Sequence, residues 1–265
     1  LWPMPLRPRH IPPALPSMLA ENSSGTGTFL LQDVYASWPA LSDSRDVVKA
    51  LRIVQVLPKT TPHANTPRVG LANASPGKQV LGTVPVEADG SAYFEAPAGI
   101  PLSFQALDER GMAIQTMRSL TYLQSGEQTS CVGCHEHRTT APAVNAASLA
   151  VLRAPSSIMP GPDGSKPFSF PILVQPILDK HCVACHGGEK TEGKIDLTGA
   201  PEGEFSRSYN ALVRLVPFSS WQGTPQANHE PLTHPDQFGA RASSLIPLLL
   251  KGHEGVALSA EEYER

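Results

Sequence analysis

Apolar and polar positions alternate with a strand-like period in the first half of this chain and take helical spacing in its last third. Residues 1–28 are rich in Pro, Ser and Gly, show neither period, and are expected to connect. From there to about residue 125 short strand patterns dominate. Val47 to Leu57 holds the β-branched Ile53, Val54 and Val56 and is stopped by Pro58. Val80 to Val86 leads into Ala88-Asp89-Gly90-Ser91, where Asp-Gly predicts a hairpin turn into Ala92-Tyr93-Phe94-Glu95. Leu102 to Leu107 alternates as a half-buried strand does, turns are predicted at 97–99 and 108–111, and Met112 to Leu123 continues in the same style. Short strands with turns every eight to twelve residues or so predict an antiparallel β-sandwich-like domain.

Asn145 to Arg153 predicts a short helix, and the Pro- and Gly-rich stretch 156–167 predicts a linker. Beyond it the period changes. Pro171 to Lys180 reads as a helix with Pro in its first turn and Ile172, Leu173, Ile177 and Leu178 at helical spacing, running straight into Cys182. Ser243 or Ser244 can cap a second helix through Leu250, closed by Gly252. Ser259-Ala260-Glu261-Glu262 has the capping-box pattern, and the helix it opens is expected to run on past Arg265 in a longer chain. The fold class is therefore α+β and multidomain: a β-rich domain at 1–155, then a mostly α-helical domain at 168–265.

Composition narrows the function. Of 265 residues 27 are proline, which argues for short elements rather than long helices. Net charge is −3 with no basic run, giving a nucleic-acid partner no electrostatic support. No stretch approaches the roughly 18 consecutive apolar residues of a membrane-spanning helix.

All four cysteines fall in two pentapeptides, Cys131-Val132-Gly133-Cys134-His135 and Cys182-Val183-Ala184-Cys185-His186. The spacing is that of haem c attachment. Two cysteines three apart reach both vinyl groups on one porphyrin edge and form thioethers, and the next imidazole lies under the ring to ligate iron. Both motifs being complete, with no cysteine left over, the residues predict two covalent haems and one-electron transfer. A single four-thiolate zinc site is the rival. Its usual pair separation is about 15–20 residues and it leaves both histidines unexplained. A thioredoxin-like pair lacks its βαβ surroundings. Asp89 beside Gly90 lacks the other ligands of a calcium loop and reads as a turn.

The far side of each iron is a separate question. No methionine follows the second motif, so His229, His234 or His253 is left for it, and His253 is preferred because Leu248-Leu249-Leu250 before it can cover a haem. For the first iron, His137 is too near His135, and Met112, Met117 or Met159 could reach it unless that iron is five-coordinate. Arg138, Arg207 and Arg214 are candidate partners for haem propionates.

The wording of two stretches carries a family resemblance. Leu81-Gly82-Thr83-Val84-Pro85-Val86-Glu87-Ala88-Asp89-Gly90-Ser91-Ala92-Tyr93-Phe94-Glu95, Pro101 to Asp108, Gln115 to Ser119 and Ser130 to Glu136 resemble the middle domain of hydrazine synthase alpha-subunit-like proteins, a planctomycete type of multihaem cytochrome. Leu178 to Gly188, Phe238 to Leu245 and Gly252-His253 resemble the cytochrome c domain that follows it. The resemblance implies one haem on a β-rich domain, a bis-histidine haem on a helical one, an N-terminal propeller in the longer relatives, partnership with a redox protein or other subunits of a multihaem complex, and an extracytoplasmic compartment. It also implies a possible alternative activity, a haem enzyme acting on small nitrogen compounds. In hydrazine-forming members a tyrosine soon after the first motif ligates the catalytic haem. Here Glu136-His137-Arg138-Thr139-Thr140 follows His135, which leaves His135 as the ligand. Denatured, fully matured chain should weigh more than its sequence by two haem groups in intact-protein mass spectrometry.

Overall fold

The structure, a computed structural model, describes residues 25–63, 65–72, 75–134, 147–188, 191–218 and 233–265. His135, His137, Arg138 and His229 lie outside the described residues.

Two sheets form the N-terminal body. Strand β1 (Thr26–Leu31) opens it, followed by β2 (Ala50–Val56), β3 (Lys78–Pro85), β4 (Ala92–Pro97), β5 (Leu102–Leu107), β6 (Ala113–Thr116), β7 (Gln128–Cys131) and β8 (Lys166–Pro167). One sheet has the order β4-β1-β7, the other β6-β5-β2-β3-β8. Inward positions alternate: Phe29 and Leu31 on β1, which begins inside the stretch 1–28 read as connecting, Leu51 and Ile53 on β2, and Ala92, Phe94 and Ala96 on β4 are buried between the layers.

Three features differ from the sequence reading. Asp89-Gly90 does turn the chain, with Glu87 N–H donating to Ser91 C=O at 2.8 Å, but it is no hairpin, because β3 and β4 belong to different sheets. The turn carries the chain from one layer to the other so that Val84 and Phe94 meet the core from opposite sides. Asp89 pins the crossing: its carboxylate accepts from Ser91 N–H at 3.0 Å and from Leu149 N–H at 2.7 Å. Secondly, β7 runs parallel to β1, pairing Leu31 with Cys131. Thirdly, the Pro/Gly segment 156–167 lies along the sandwich. Thr83 and Met159 exchange both backbone hydrogen bonds, Ser156 bonds Tyr93 and Glu95, and β8 adds an edge to β3.

Gly82 makes room for that segment. It sits at the bulge where the β2–β3 register shifts after Ile53, with φ at +144°, and a Cβ there would lie 2.1 Å from the Met159 carbonyl oxygen.

The C-terminal part is built from short helices. A π-turn at Phe170–Val174 passes into α1 (Gln175–His181), then come a two-residue hairpin β9 (Pro201–Glu202) and β10 (Phe205–Ser206), α2 (Arg207–Leu212), α3 (Leu245–Lys251) and α4 (Ala260–Glu264). Pro176 cannot donate to the turn before it, and the wide turn accommodates this, with Gln175 N–H reaching Phe170 C=O. Ser243 rather than Ser244 bonds the start of α3, through Leu245 N–H at 3.0 Å. Gly252, φ +79°, ends it. Ser259 and Glu262 close the predicted capping box on α4. Where a helix was expected at Asn145–Arg153, a 3₁₀ turn spans Leu149–Leu152, with 145–146 outside the described residues. Leu178, Leu197 and Leu212 form the buried centre of this part. Among the described residues no helix is long and apolar enough to cross a membrane.

Gly82→Ala should destabilise the fold by about 2–3 kcal/mol in urea unfolding, the cost of a strained φ together with a backbone clash. Gly99→Ala, also at positive φ but facing open space, should cost about 1 kcal/mol.

Candidate haem-binding sites

At the second motif the chain makes one further helical turn. Cys182 N–H donates to Leu178 C=O at 2.8 Å, and Cys185 and His186 N–H donate to Cys182 C=O at 3.1 and 2.9 Å. This turn is why the spacing matters. Residues i and i+3 stand one above the other on a helical face, so both sulfurs can meet one porphyrin edge, and i+4 brings the imidazole to the same side. The turn is held from behind. Buried Gln175 on α1 donates to Leu197 C=O at 3.0 Å and accepts from Ser208 on α2 at 2.6 Å.

His186 Nδ1 lies 3.0 Å from Glu192 C=O, so Nδ1–H donates and Nε2 keeps its lone pair. Glu192 is fixed in turn, its N–H donating to Cys185 C=O at 3.0 Å. Facing His186 is His253, with ring centroids 5.9 Å apart and planes 23° from parallel. The two rings are offset and near-parallel at that separation. Two metal–imidazole bonds of about 2.0–2.1 Å plus two ring radii come to about 6 Å. A tight turn presents His253, with Glu254 at φ +49° and Val256 N–H bonded to His253 C=O at 2.9 Å.

At the first motif Cys131 ends β7 and is tied to the strand opposite, with Gln32 and Asp33 N–H donating to Cys131 and Val132 C=O at 2.9 and 3.1 Å. Gly133 passes so close to Ala36 that a Cβ would lie 1.8 Å from its carbonyl oxygen; no other residue fits there. Both cysteines pack on the sandwich core, and burial pushes the Cys134 thiol up to about 11. The two pairs also sit on different cores, Cys131 and Cys134 on the sandwich and Cys182 among the helices. Among the described residues no three His, Cys, Asp or Glu side chains are placed to share a metal ion.

Comparison with known proteins bears on the chain's middle part and its fold. Residues 46–136 match the family described as hydrazine synthase alpha subunit middle domain. Hydrazine synthase subunit alpha of Kuenenia stuttgartiensis is 29% identical over 115 residues, a match that takes in 38% of this chain and 14% of the relative. The solved Kuenenia stuttgartiensis hydrazine synthase superposes with a TM-score of 0.58 at 22% identity, over 76% of this chain and 34% of that one. The chain is hydrazine synthase alpha-like. The structural likeness speaks to the α+β fold, and the aligned regions span about a seventh of the curated relative and a third of the solved chain.

Within this hydrazine synthase alpha-like frame the other sequence candidates separate. His234 stands beside the sandwich, since its neighbours Thr233 and Asp236 bond Gln115 and Ile114 of β6. Met117 lines an apolar pocket together with both first-motif cysteines, whereas Met159 is 65% exposed. Arg207 is engaged by Asp196 at 2.8 Å, and Arg214 lines a surface groove with Lys194. Glu192 carries no side-chain signal for its role, because its backbone performs it. Glu262 was visible only as a helix cap, yet it also binds Lys180 and His181, the residues just before Cys182, at 2.8 and 3.0 Å.

Lys180, the Ser259 N–H and His181 hold the Glu262 carboxyl well below the usual glutamate range. A carboxyl depressed in the folded state contributes stability that is complete above its unfolded pKa, about 4.3, and lost as pH falls further. Hydrogen exchange should therefore show α4 loosening from α1 as pH drops below about 4, and Glu262→Gln should remove that dependence.

Proposed function

We propose that this chain is a dihaem c-type electron-transfer unit of a hydrazine synthase-like assembly. Cys131 and Cys134 would hold one haem with His135 on its iron, and Cys182 and Cys185 the other with His186. His253 would be the residue to hold the second iron from the other side. The observation that carries this reading is the His186–His253 pair, two near-parallel imidazoles separated by 5.9 Å, one of them already oriented through Nδ1. A fully formed helical turn with two cysteines on one face meets the same requirement from the other edge.

Bound between two imidazoles, a haem supplies one-electron exchange with no open iron position, at a potential lower than a His/Met pair gives. The residues of the chain do the rest. The Glu192 carbonyl keeps the His186 ring from turning, and its partial charge strengthens the imidazole as a donor. α3 offers Leu248 and Leu250, 44% and 48% exposed, as apolar cover just before His253. Gln175 and Ser208 fix the cysteine turn against α2. The electrons would pass to a redox partner or a neighbouring subunit. Covalent haem attachment is extracytoplasmic chemistry, so the compartment we propose is periplasmic or its equivalent.

The family match favours a second reading, in which the first haem is open and catalytic toward small nitrogen compounds. The sequence after His135 has no tyrosine, the residue that ligates the catalytic haem in hydrazine-forming members, which favours relay instead. Reduced, matured protein should keep its spectrum under carbon monoxide, while His253→Ala should gain a carbon monoxide adduct at one haem. A Soret shift in the unaltered protein would instead favour the enzyme reading, and a variant indistinguishable from it would remove His253 from the iron.

A further inference from the structure

We infer that the outer face of the five-stranded sheet carries a binding site for a small organic carboxylate with an apolar body. A cleft of about 350 Å³ lies there, between β2, β3 and β5, the 161–168 segment and the end of α4. Its floor follows from strand alternation. Leu51 and Ile53 of β2 point into the sandwich, so Arg52 and Val54 point out. Cross-strand register then sets Gln105 beside Arg52, and Val80 and Lys166 in one row with Val54. Lys78, two residues before Val80, shares that face. The cleft shares no residue with either cysteine motif or with His253, and the sheet itself stands between it and the first cysteine pair.

The charges choose the guest. Arg52, Lys78, Lys166 and Arg265 line the cleft against Asp163 and Glu264, so cations are in excess. Asp163 is engaged by Arg265 at 2.7 and 3.1 Å. Glu264 and Asp163 act on Arg52 and Lys166 through space, without an ion pair to either. Arg52 is the anchor. It is half-buried and spends two of its N–H groups on neutral acceptors, Gln105 Oε1 at 3.0 Å and Gly111 C=O at 2.9 Å. The rest of its planar fork is free to meet a carboxylate. Burial pulls its pKa below the usual arginine value, so the fold holds this charge at a cost that an incoming anion offsets. Much of the remaining lining is apolar: Val54 is buried, Val80 and Leu173 are half-buried, and the Phe168 side chain is 51% exposed. A multiply charged anion is opposed by Asp163 and Glu264, and a neutral guest leaves Arg52 uncompensated. The volume falls within the roughly 300–1,000 Å³ of small-molecule sites.

Phenylacetate is the probe, with 2-phenylethanol as the same body without charge and inorganic phosphate as charge without the body. Calorimetric titration of the full matured chain should show saturable binding of millimolar phenylacetate and none of either control at the same concentration. Arg52→Gln should weaken that binding about tenfold or more, the worth of a charge-assisted bidentate contact. Should that variant fail to fold, the exposed pair Lys78→Gln and Lys166→Gln together should weaken it about fivefold. No saturable binding of phenylacetate, equal binding of 2-phenylethanol or phosphate, or an affinity unchanged in the folded variants would overturn the inference. The titration reads no haem signal, so it fails or succeeds separately from the electron-transfer reading.

Discussion

Two imidazoles held 5.9 Å apart, 23° from parallel, set the demand that the C-terminal part of this chain is built to meet. Each ring is also fixed by its own surroundings. For His186 it is the carbonyl of Glu192 and the helical turn begun at Cys182. For His253 it is the turn closed on Val256 after Gly252 has ended α3. The surrounding core is modest, with three leucines buried and partly buried side chains such as Phe170, Val174 and Leu245 around them.

The N-terminal body supplies the rigid counterpart. Its fifteen-residue core spans two sheets, and the first cysteine pair is woven into it through β7 and the close pass of Gly133 over Ala36. The two parts are also fastened together. Arg241 before α3 binds Asp108 at the β5–β6 turn, Leu71 N–H donates to the Tyr209 hydroxyl on α2, and Phe168 N–H donates to Lys78 on β3. With both motifs on one frame, the distance between them is set by the fold rather than by a loose connection.

Much of this was legible in the residues, for physical reasons. Alternation at Leu51 and Ile53, the Pro at the start of the helix before Cys182, and the Ser259–Glu262 cap are local signals, and each marks an element that forms. His253, singled out for the apolar run before Gly252, has its ring 5.9 Å from that of His186. What escaped was non-local. Asp89-Gly90 announces a turn, but whether the next strand pairs with the last or crosses to the other sheet is decided by where Phe94 must pack. The parallel partner of β1 lies about a hundred residues on, at Gln128–Cys131, with nothing in either strand to name the other. Residues 156–167 read as a linker because their interactions with Thr83, Tyr93 and Lys78 are made by backbone groups, which every sequence possesses.

The central claim concerns one iron position. Diffraction from matured protein at the iron absorption edge tests it most directly. The account predicts an anomalous peak between the two rings, about 2 Å from Nε2 of both His186 and His253. A map with no scatterer there, or with iron bound to His186 while His253 is turned away, would contradict it.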